Sequence, residues 1–460
     1  MCNKQFGSYT DHFMKCHVFR GIGGVSFKYY CLFQHHTAPP LSTFTTDAPE
    51  TMGATADGTA GADPRQVRDT YVYPRTADDA SWIVGNKPGP YVEERSRSLY
   101  MRLGKRMAFC GIDARTERTR KQVNYPETYE LIFRRLRQEL SSAKGQIKHL
   151  ILLLGIPIAY PRLAWLENIL RSPIIAPIKL LNKRFGLAGD FFNHFDGSVD
   201  LLDDLDDHYT CHAHKRERKE LILRLQELSK DFGIRVTILG GDVHLGALGR
   251  FYSMPKLKIP AEEDHRYMAN IISSAITNKP PPAAVANLLA RRNKIHHLRD
   301  GVTDETLLAM FDKQPGGNVK GAGWNKCTMP SRNYACITEV DSAPENQSGA
   351  TLPPNGTNRV HTGETGRDGE RFLGHDGHST LHEGEEGAGT QHPAADGVSS
   401  RSGMTGGLNV SLRVEIDNKD RAGATEGYGF SSEFGAFFPD KTRLTQWTVV
   451  PPLLIAPKVA

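Results

Sequence analysis

Apolar and polar positions over the first 340 or so residues fall into two kinds of pattern. Short continuous apolar runs at 106–112 (RMAFCGI), 148–154 (KHLILLL) and 234–239 (IRVTIL) each end at a glycine or a polar turn, and each reads as a buried strand. Pro126 stands at the favoured first-turn position of a helix, and Tyr129, Ile132, Leu136 and Leu140 follow at helical spacing. A second helix is predicted over 216–231, with Leu221, Leu225 and Leu228 on its inner face and Gly233 just past its end. Strands alternating with amphipathic helices predict an α/β fold of mainly parallel sheet covered by helices. The longest apolar run, 149–160, is interrupted by Gly155 and Pro157 and falls short of the roughly 20 residues of a membrane-spanning helix, so it too reads as a buried strand.

From about 342 to 407 the pattern vanishes. Gly, Ser, Thr, His and Glu dominate with almost no large apolar side chain, a composition that cannot offset the entropy lost on ordering, and disorder is predicted. Period-two alternation resumes at 408–415 (LNVSLRVE), as in a strand with one buried face. The expected organisation is one domain over 1–340, a disordered Gly/Ser/His-rich linker over 341–407, a strand segment over 408–440 that returns to pair with the main sheet, and a tail over 441–460.

Composition narrows the function. The 460 residues are 39% hydrophobic, enough for a sizeable core, and carry 57 basic against 52 acidic residues for a net charge of +5. The basic residues are scattered, so no nucleic-acid partner is expected. Seven cysteines, an odd number with no CxxC pair, predict reduced thiols, and the first residues lack the order of a signal peptide. The expected location is intracellular, cytoplasmic or membrane-associated. The membrane alternative rests on 173–185, where Ile174, Ile175, Ile178, Leu180, Leu181 and Phe185 alternate with Lys179, Lys183 and Arg184. Core packing of a helix pair is the preferred reading there, and a peripheral membrane contact is the other.

Three segments carry candidate chemistry. GGDVH (240–244) follows the strand at 234–239, and in an extended chain Asp242 and His244 project side by side from the sheet's carboxyl edge. Carboxylate oxygen and imidazole nitrogen together suit metals that activate water, although an Asp capping a loop beside an unrelated His gives the same letters. GIDARTERTR (111–120) places Asp113 at a strand end, with Arg115, Arg118 and Arg120 where guanidinium groups can fork onto a phosphate or form a solvated basic turn. LLDDLDDHY (201–209) clusters Asp203, Asp204, Asp206 and Asp207 ahead of the helix at 216, as metal ligands or as helix-capping charges. HYTCHAH (208–214) gathers His208, Cys211, His212 and His214, but no second ligand pair lies at a plausible distance, so zinc is not expected. Linker histidines His361, His375, His378, His382 and His392 read as incidental to a polar tract.

Together these segments, with SWIVGNKPGPYV (81–92), NYPETYELIF (124–133), LLLGIPIAYPRL (152–163), VTILGGDVHLGALGRFYS (236–253) and DHRYMANIISSAI (264–276), resemble the PhoD-like metallophosphatases in their fungal form. The resemblance implies a metallophosphoesterase-type sandwich and a hydrolase of phosphate monoesters or diesters, in which a metal-bound hydroxide attacks phosphorus at a two-metal site. It implies divalent or trivalent metal ions, with Ca, Fe, Mn and Zn not distinguished. By motif, the metal ligands would be Asp242, His244, Asp203 and Asp206, with Asp113 and Arg115 catalytic and Arg115 and Arg118 on the phosphate. Family members carry further Gly-Asp and Asp-His elements upstream, and nothing in MCNKQ replaces them. An N-terminally truncated site of impaired activity is therefore expected, with a non-catalytic scaffold or membrane-associated interaction protein of the same fold as the alternative.

Overall fold

The computed structural model describes residues 14–37, 39, 79–159, 209–241, 243–273, 276–277, 279–281, 283–291, 293–317, 325–340, 373–374, 377–378, 381–382, 385, 387–396 and 407–432. In chain order the elements are α1 (His17–Phe33), β1 (Trp82–Pro88), β2 (Arg95–Leu103), β3 (Met107–Gly111), α2 (Pro126–Ser142), β4 (His149–Leu153), α3 (Lys215–Phe232), β5 (Arg235–Gly240), β6 (Gly246–Ser253) and β7 (Met268–Ser273). There follow α4 (Ala283–Arg291), β8 (His296–His297), β9 (Thr303–Leu307), β10 (Thr328–Met329), β11 (Asn333–Glu339), β12 (Leu373–Gly374), β13 (Gly377–His378), a 3-10 turn at Pro393–Asp396, β14 (Leu408–Glu415) and β15 (Thr425–Ser432).

The three apolar runs become β3, β4 and β5, neighbours in register and parallel, with β7 parallel beside β5. Both predicted helices form. Tyr129, Ile132, Leu136 and Leu140 of α2 and Leu221, Leu225 and Leu228 of α3 are buried, and Gly233 ends α3 in the left-handed region with φ 60°. These faces pack with Ala108, Cys110, Leu150, Leu152, Val236 and Ile238 into one core on one side of the sheet.

The expected mainly parallel sheet is corrected. Only β3, β4, β5 and β7 are parallel; β1 and β2 extend the sheet antiparallel at one side, and β6, β9 and β8 do so at the other, with β10 also on β6. Parallel pairing needs a long crossover, which α2 and α3 supply, whereas short connections elsewhere bring strands back antiparallel. The strand at 408 forms as predicted but does not join the main sheet. It is the middle strand of a separate antiparallel sheet, β11–β14–β15, whose Val410, Leu412, Val414, Tyr428 and Phe430 pack on Leu248, Ala269 and Ile271 of the large sheet's other face.

The segment assigned to a disordered linker also departs from expectation where it is described. Leu381 and Ala388 join the core between the two sheets. Glu385 forms a buried ion pair with Arg250 of β6 and accepts hydrogen bonds from Tyr267 (2.7 Å) and the His382 backbone N–H (2.9 Å). His382 is itself buried, with Nε2 2.8 Å from the Ile259 carbonyl. The 3-10 turn lies directly on β15, where a side chain at Gly427 or Gly429 would overlap the Ala395 backbone, and Ser411 Oγ and Arg413 donate to the Ala395 carbonyl at 2.6 and 3.1 Å. Composition underestimates this segment because its order comes from a few polar contacts to distant residues rather than from apolar burial.

Removing Glu385 leaves the Arg250 charge buried without its carboxylate partner. Glu385→Ala is expected to lower stability by about 3 kcal/mol or more, seen as a fall in thermal midpoint, and an unchanged midpoint would show that the Glu385–Arg250 pair adds nothing to stability.

Candidate functional site

The carboxyl ends of the parallel strands share one edge, the side on which open α/β sheets hold ligands. Residues 112–118 leave β3 there and 241–245 leave β5, two strands away across β4, so the two turns stand on the order of 10 Å apart.

The first turn is held by its own carboxylates. Asp113 is buried and accepts four hydrogen bonds: from the backbone N–H of Arg97 (3.0 Å), Arg115 (3.0 Å) and Thr116 (3.0 Å), and from Thr116 Oγ1 (2.6 Å). The Asp113 backbone is fixed in turn, its N–H donating to Ser98 Oγ at 3.1 Å and its carbonyl accepting from Asn124 Nδ2 at 2.6 Å. Glu117, fully buried, accepts from Ser96 Oγ (2.5 Å), the Tyr125 backbone N–H (2.7 Å) and Thr128 Oγ1 (2.7 Å). Those last two donors begin α2, whose N-terminal dipole favours a carboxylate there. Gly85 and Gly89 of the first hairpin let the turn approach, because a Cβ at either would overlap Ser96 or the Thr116 carbonyl.

A second acid locks this turn to α3. Glu217 accepts from the backbone N–H of Val123 (2.8 Å) and Asn124 (2.9 Å) and from the Tyr129 hydroxyl (2.8 Å), which lies 3.1 Å from the Tyr209 hydroxyl. Arg118 is fully buried, and its positive charge acts on both Glu217 and Tyr209. Burial raises Glu217 above the usual carboxylate range, opposed by the backbone N–H groups, Tyr129 and Arg118. The loop after β4 is pinned by Asn270 Oδ1, which accepts from the Ile158 and Ala159 N–H at 3.3 and 3.0 Å, and by Arg218 Nε, which donates to the Ile158 carbonyl at 2.7 Å.

The structure places the predicted residues unevenly. Asp113 is buried in the turn, and it and half-buried Arg115 line a small cavity of about 30 Å³ with Ser26, Phe27, Tyr30 and Thr116. His244 is half-buried at the edge, with φ 53° in the left-handed region. The extended geometry expected for 242–244 is therefore corrected at His244. β5 and β6 are not neighbours, so the connection between them passes the end of β7, with Val243 and Leu245 against the core. Asp203, Asp206 and Asp242, as well as the basic apolar segment 173–185, lie outside the described residues. Tyr209, which closes the acidic motif, is anchored in the Arg118–Glu217 network.

Among the described residues no three His, Cys, Asp or Glu side chains converge on one point, and His244 by itself is not a metal site. Cys211 Sγ and His214 Nδ1 are 3.3 Å apart and buried, and His212 faces solvent, so the HYTCHAH pair packs the start of α3. No helix among the described residues is long and apolar enough to cross a membrane. Glu117, Glu217 and Asn124 went unsingled in the sequence; the local signal was an acid four residues past Asp113 and another in the first turn of a predicted helix.

Because burial favours protonated Glu217, its contribution to stability is complete below its ordinary value of 4.5 and declines as pH rises through the raised value. Glu217→Gln is expected to flatten that decline in denaturant unfolding followed from acid to neutral pH; an unaltered pH dependence would assign it to other groups.

Comparison with known proteins identifies a family. The PhoD related phosphatase family matches residues 3–59, 96–185 and 175–364. The uncharacterized protein YGR266W of Saccharomyces cerevisiae is 39% identical over 354 residues, which is 73% of this chain and 46% of the yeast protein. The chain thus spans about half the length of that relative. A solved structure of PhoD aligns over 40% of this chain and 30% of its own, with 11% identity and a TM-score of 0.24, too little to bear on the fold. With matched residues running through most of its length, the chain belongs to the PhoD related phosphatase family.

Proposed function

We propose that the chain is the phosphate-handling part of a metal-dependent hydrolase of phosphate esters, built on a metallophosphoesterase-type sandwich. The observation that carries this reading is the Asp113–Thr116 turn. Four donors fix one carboxylate at the carboxyl edge, and the same hydrogen bonds fix the backbone of Arg115 beside a cavity. In this reading Arg115 binds the phosphoryl oxygens and Asp113 is a positioning residue that acts through the Arg115 N–H. In this reading Arg118 is a buried positioning charge beside Tyr209 and Glu217.

Asp203, Asp206, Asp242 and His244 would hold the metal ions. Their oxygen and imidazole donors suit divalent or trivalent ions. When bound, such ions lower the pKa of water and neutralise charge on the phosphoryl oxygens. The substrate class is a phosphate monoester or diester.

Turnover of chromogenic monoesters and diesters, with Mn, Ca, Fe or Zn added, tests the reading. Arg115→Ala is expected to lower turnover by about 100-fold, and His244→Ala to abolish its dependence on added metal. Metal-independent turnover, or none from the folded chain, would move the assignment to a scaffold of the same fold.

A further inference from the structure

α1 had no assigned role in the sequence, yet it lies against the candidate site. Its Arg20 pairs with Glu93 in the turn between β1 and β2, and Phe27 and Tyr30 face the Asp113 turn. The 30 Å³ cavity at that contact has Ser26 and Tyr30 on the helix side and Arg115 and Thr116 on the sheet side. Its polar groups decide what it can accept. The Asp113 carboxylate has about four acceptor positions, and they are filled by four donors from the protein, so no oxygen is left for a cation. Burial, reinforced by the neighbouring Asp113 charge, keeps the Tyr30 phenol protonated and therefore a donor. His35, edge-on to Tyr30 with ring centroids 4.3 Å apart, is pushed down by burial toward its neutral form and restrains the phenol without adding charge.

We infer that Ser26 and Tyr30 of α1 form, together with Arg115, an anion subsite that grips a phosphoryl group of the substrate from the side opposite the β5 turn. Ser26, Tyr30 and Arg115 line one small space beside the already saturated Asp113 carboxylate, and hydroxyl, phenol and guanidinium are donor types that match the acceptor oxygens of a phosphoryl group. The cavity, about 30 Å³, has room for a small oxyanion group but not for a whole ester, whose body would lie outside along the sheet edge. α1 thus makes a specificity-determining wall. The assignment deepens the proposed function and rests on its placing of Arg115 at the phosphate.

Binding of inorganic phosphate to the full chain, by calorimetric titration, reads the subsite without turnover. Tyr30→Phe and Ser26→Ala are each expected to weaken phosphate about tenfold and to raise KM for an ester more than they lower kcat. Tyr29→Phe, on the exposed side of the same helix, is expected to leave both unchanged. Tyr30→Phe keeps the ring and its packing, so an unchanged thermal midpoint separates lost binding from lost folding. Wild-type affinity in both variants, with loss only in Arg115→Ala, would remove α1 from the site, and failure of the wild-type chain to bind phosphate would overturn the subsite outright. Phosphate binding that needs Tyr30 in a chain that hydrolyses no ester would keep the subsite and sink the hydrolase reading instead.

Discussion

A chain leaving a parallel strand and turning at once exposes backbone N–H groups that neither sheet nor helix can satisfy, and when the turn is buried those donors must be met by side chains. Here Asp113, Glu117 and Glu217 meet them. Asp113 collects the donors of its own turn and of β2, Glu117 those at the start of α2, and Glu217 those of residues 123 and 124. Each acid joins two or more elements, so the end of β3, the first hairpin, α2 and α3 hold one another in place. A carboxylate with several charge-assisted hydrogen bonds is fixed in orientation as well as position. The rigidity of the candidate phosphate end follows from that.

The same network reaches the acidic motif. Tyr209 ends that motif and meets Tyr129, Glu217 and the field of buried Arg118, so the chain entering α3 is tied to the chain leaving β3. The loop after β4 is held separately by Asn270 and Arg218. Three successive crossings of the carboxyl edge are thus fixed by three different polar devices, each drawing on a residue from another element. The segments matched to the PhoD related phosphatases include Asp113, Glu117 and Glu217 as well as Arg115.

The far side of the sheet is closed differently. β11, β14 and β15 lay an apolar face over β6 and β7, and Leu381 and Ala388 pack into the same core. Arg250 is fully buried and ion-paired to Glu385, and the hydrogen bonds of Tyr267 and His382 satisfy the carboxylate's other positions. Burying an ion pair is favourable only when such partners are present. The glycines at 427 and 429 permit the backbone contact that keeps the segment down.

The sequence by itself determined the elements that depend on neighbours a few residues apart. The three apolar runs, the spacing of Tyr129 through Leu140 and the left-handed Gly233 fold as their pattern predicts, because burial of a face is a short-range property of the chain. The strand at 408–415 forms too, but the single buried face expected of it is corrected, since Asn409 and Ser411 are buried as well, Ser411 beneath Ala395. It also set the motifs at strand ends, which located Asp113 and His244 at one edge. It did not reveal α1, whose Gly21, Gly23 and Gly24 depress helix propensity until packing overrides it. Only the tertiary structure decided strand direction and order, since periodicity does not name a pairing partner, and so the antiparallel flanks, the passage of 241–245 past β7 and the separate sheet of β14 were not legible. It also decided the work of the polar residues. Asp113 serves its turn and Glu385 serves Arg250 because their partners are brought to them by the fold, and no local pattern can specify a contact between residues far apart in the chain.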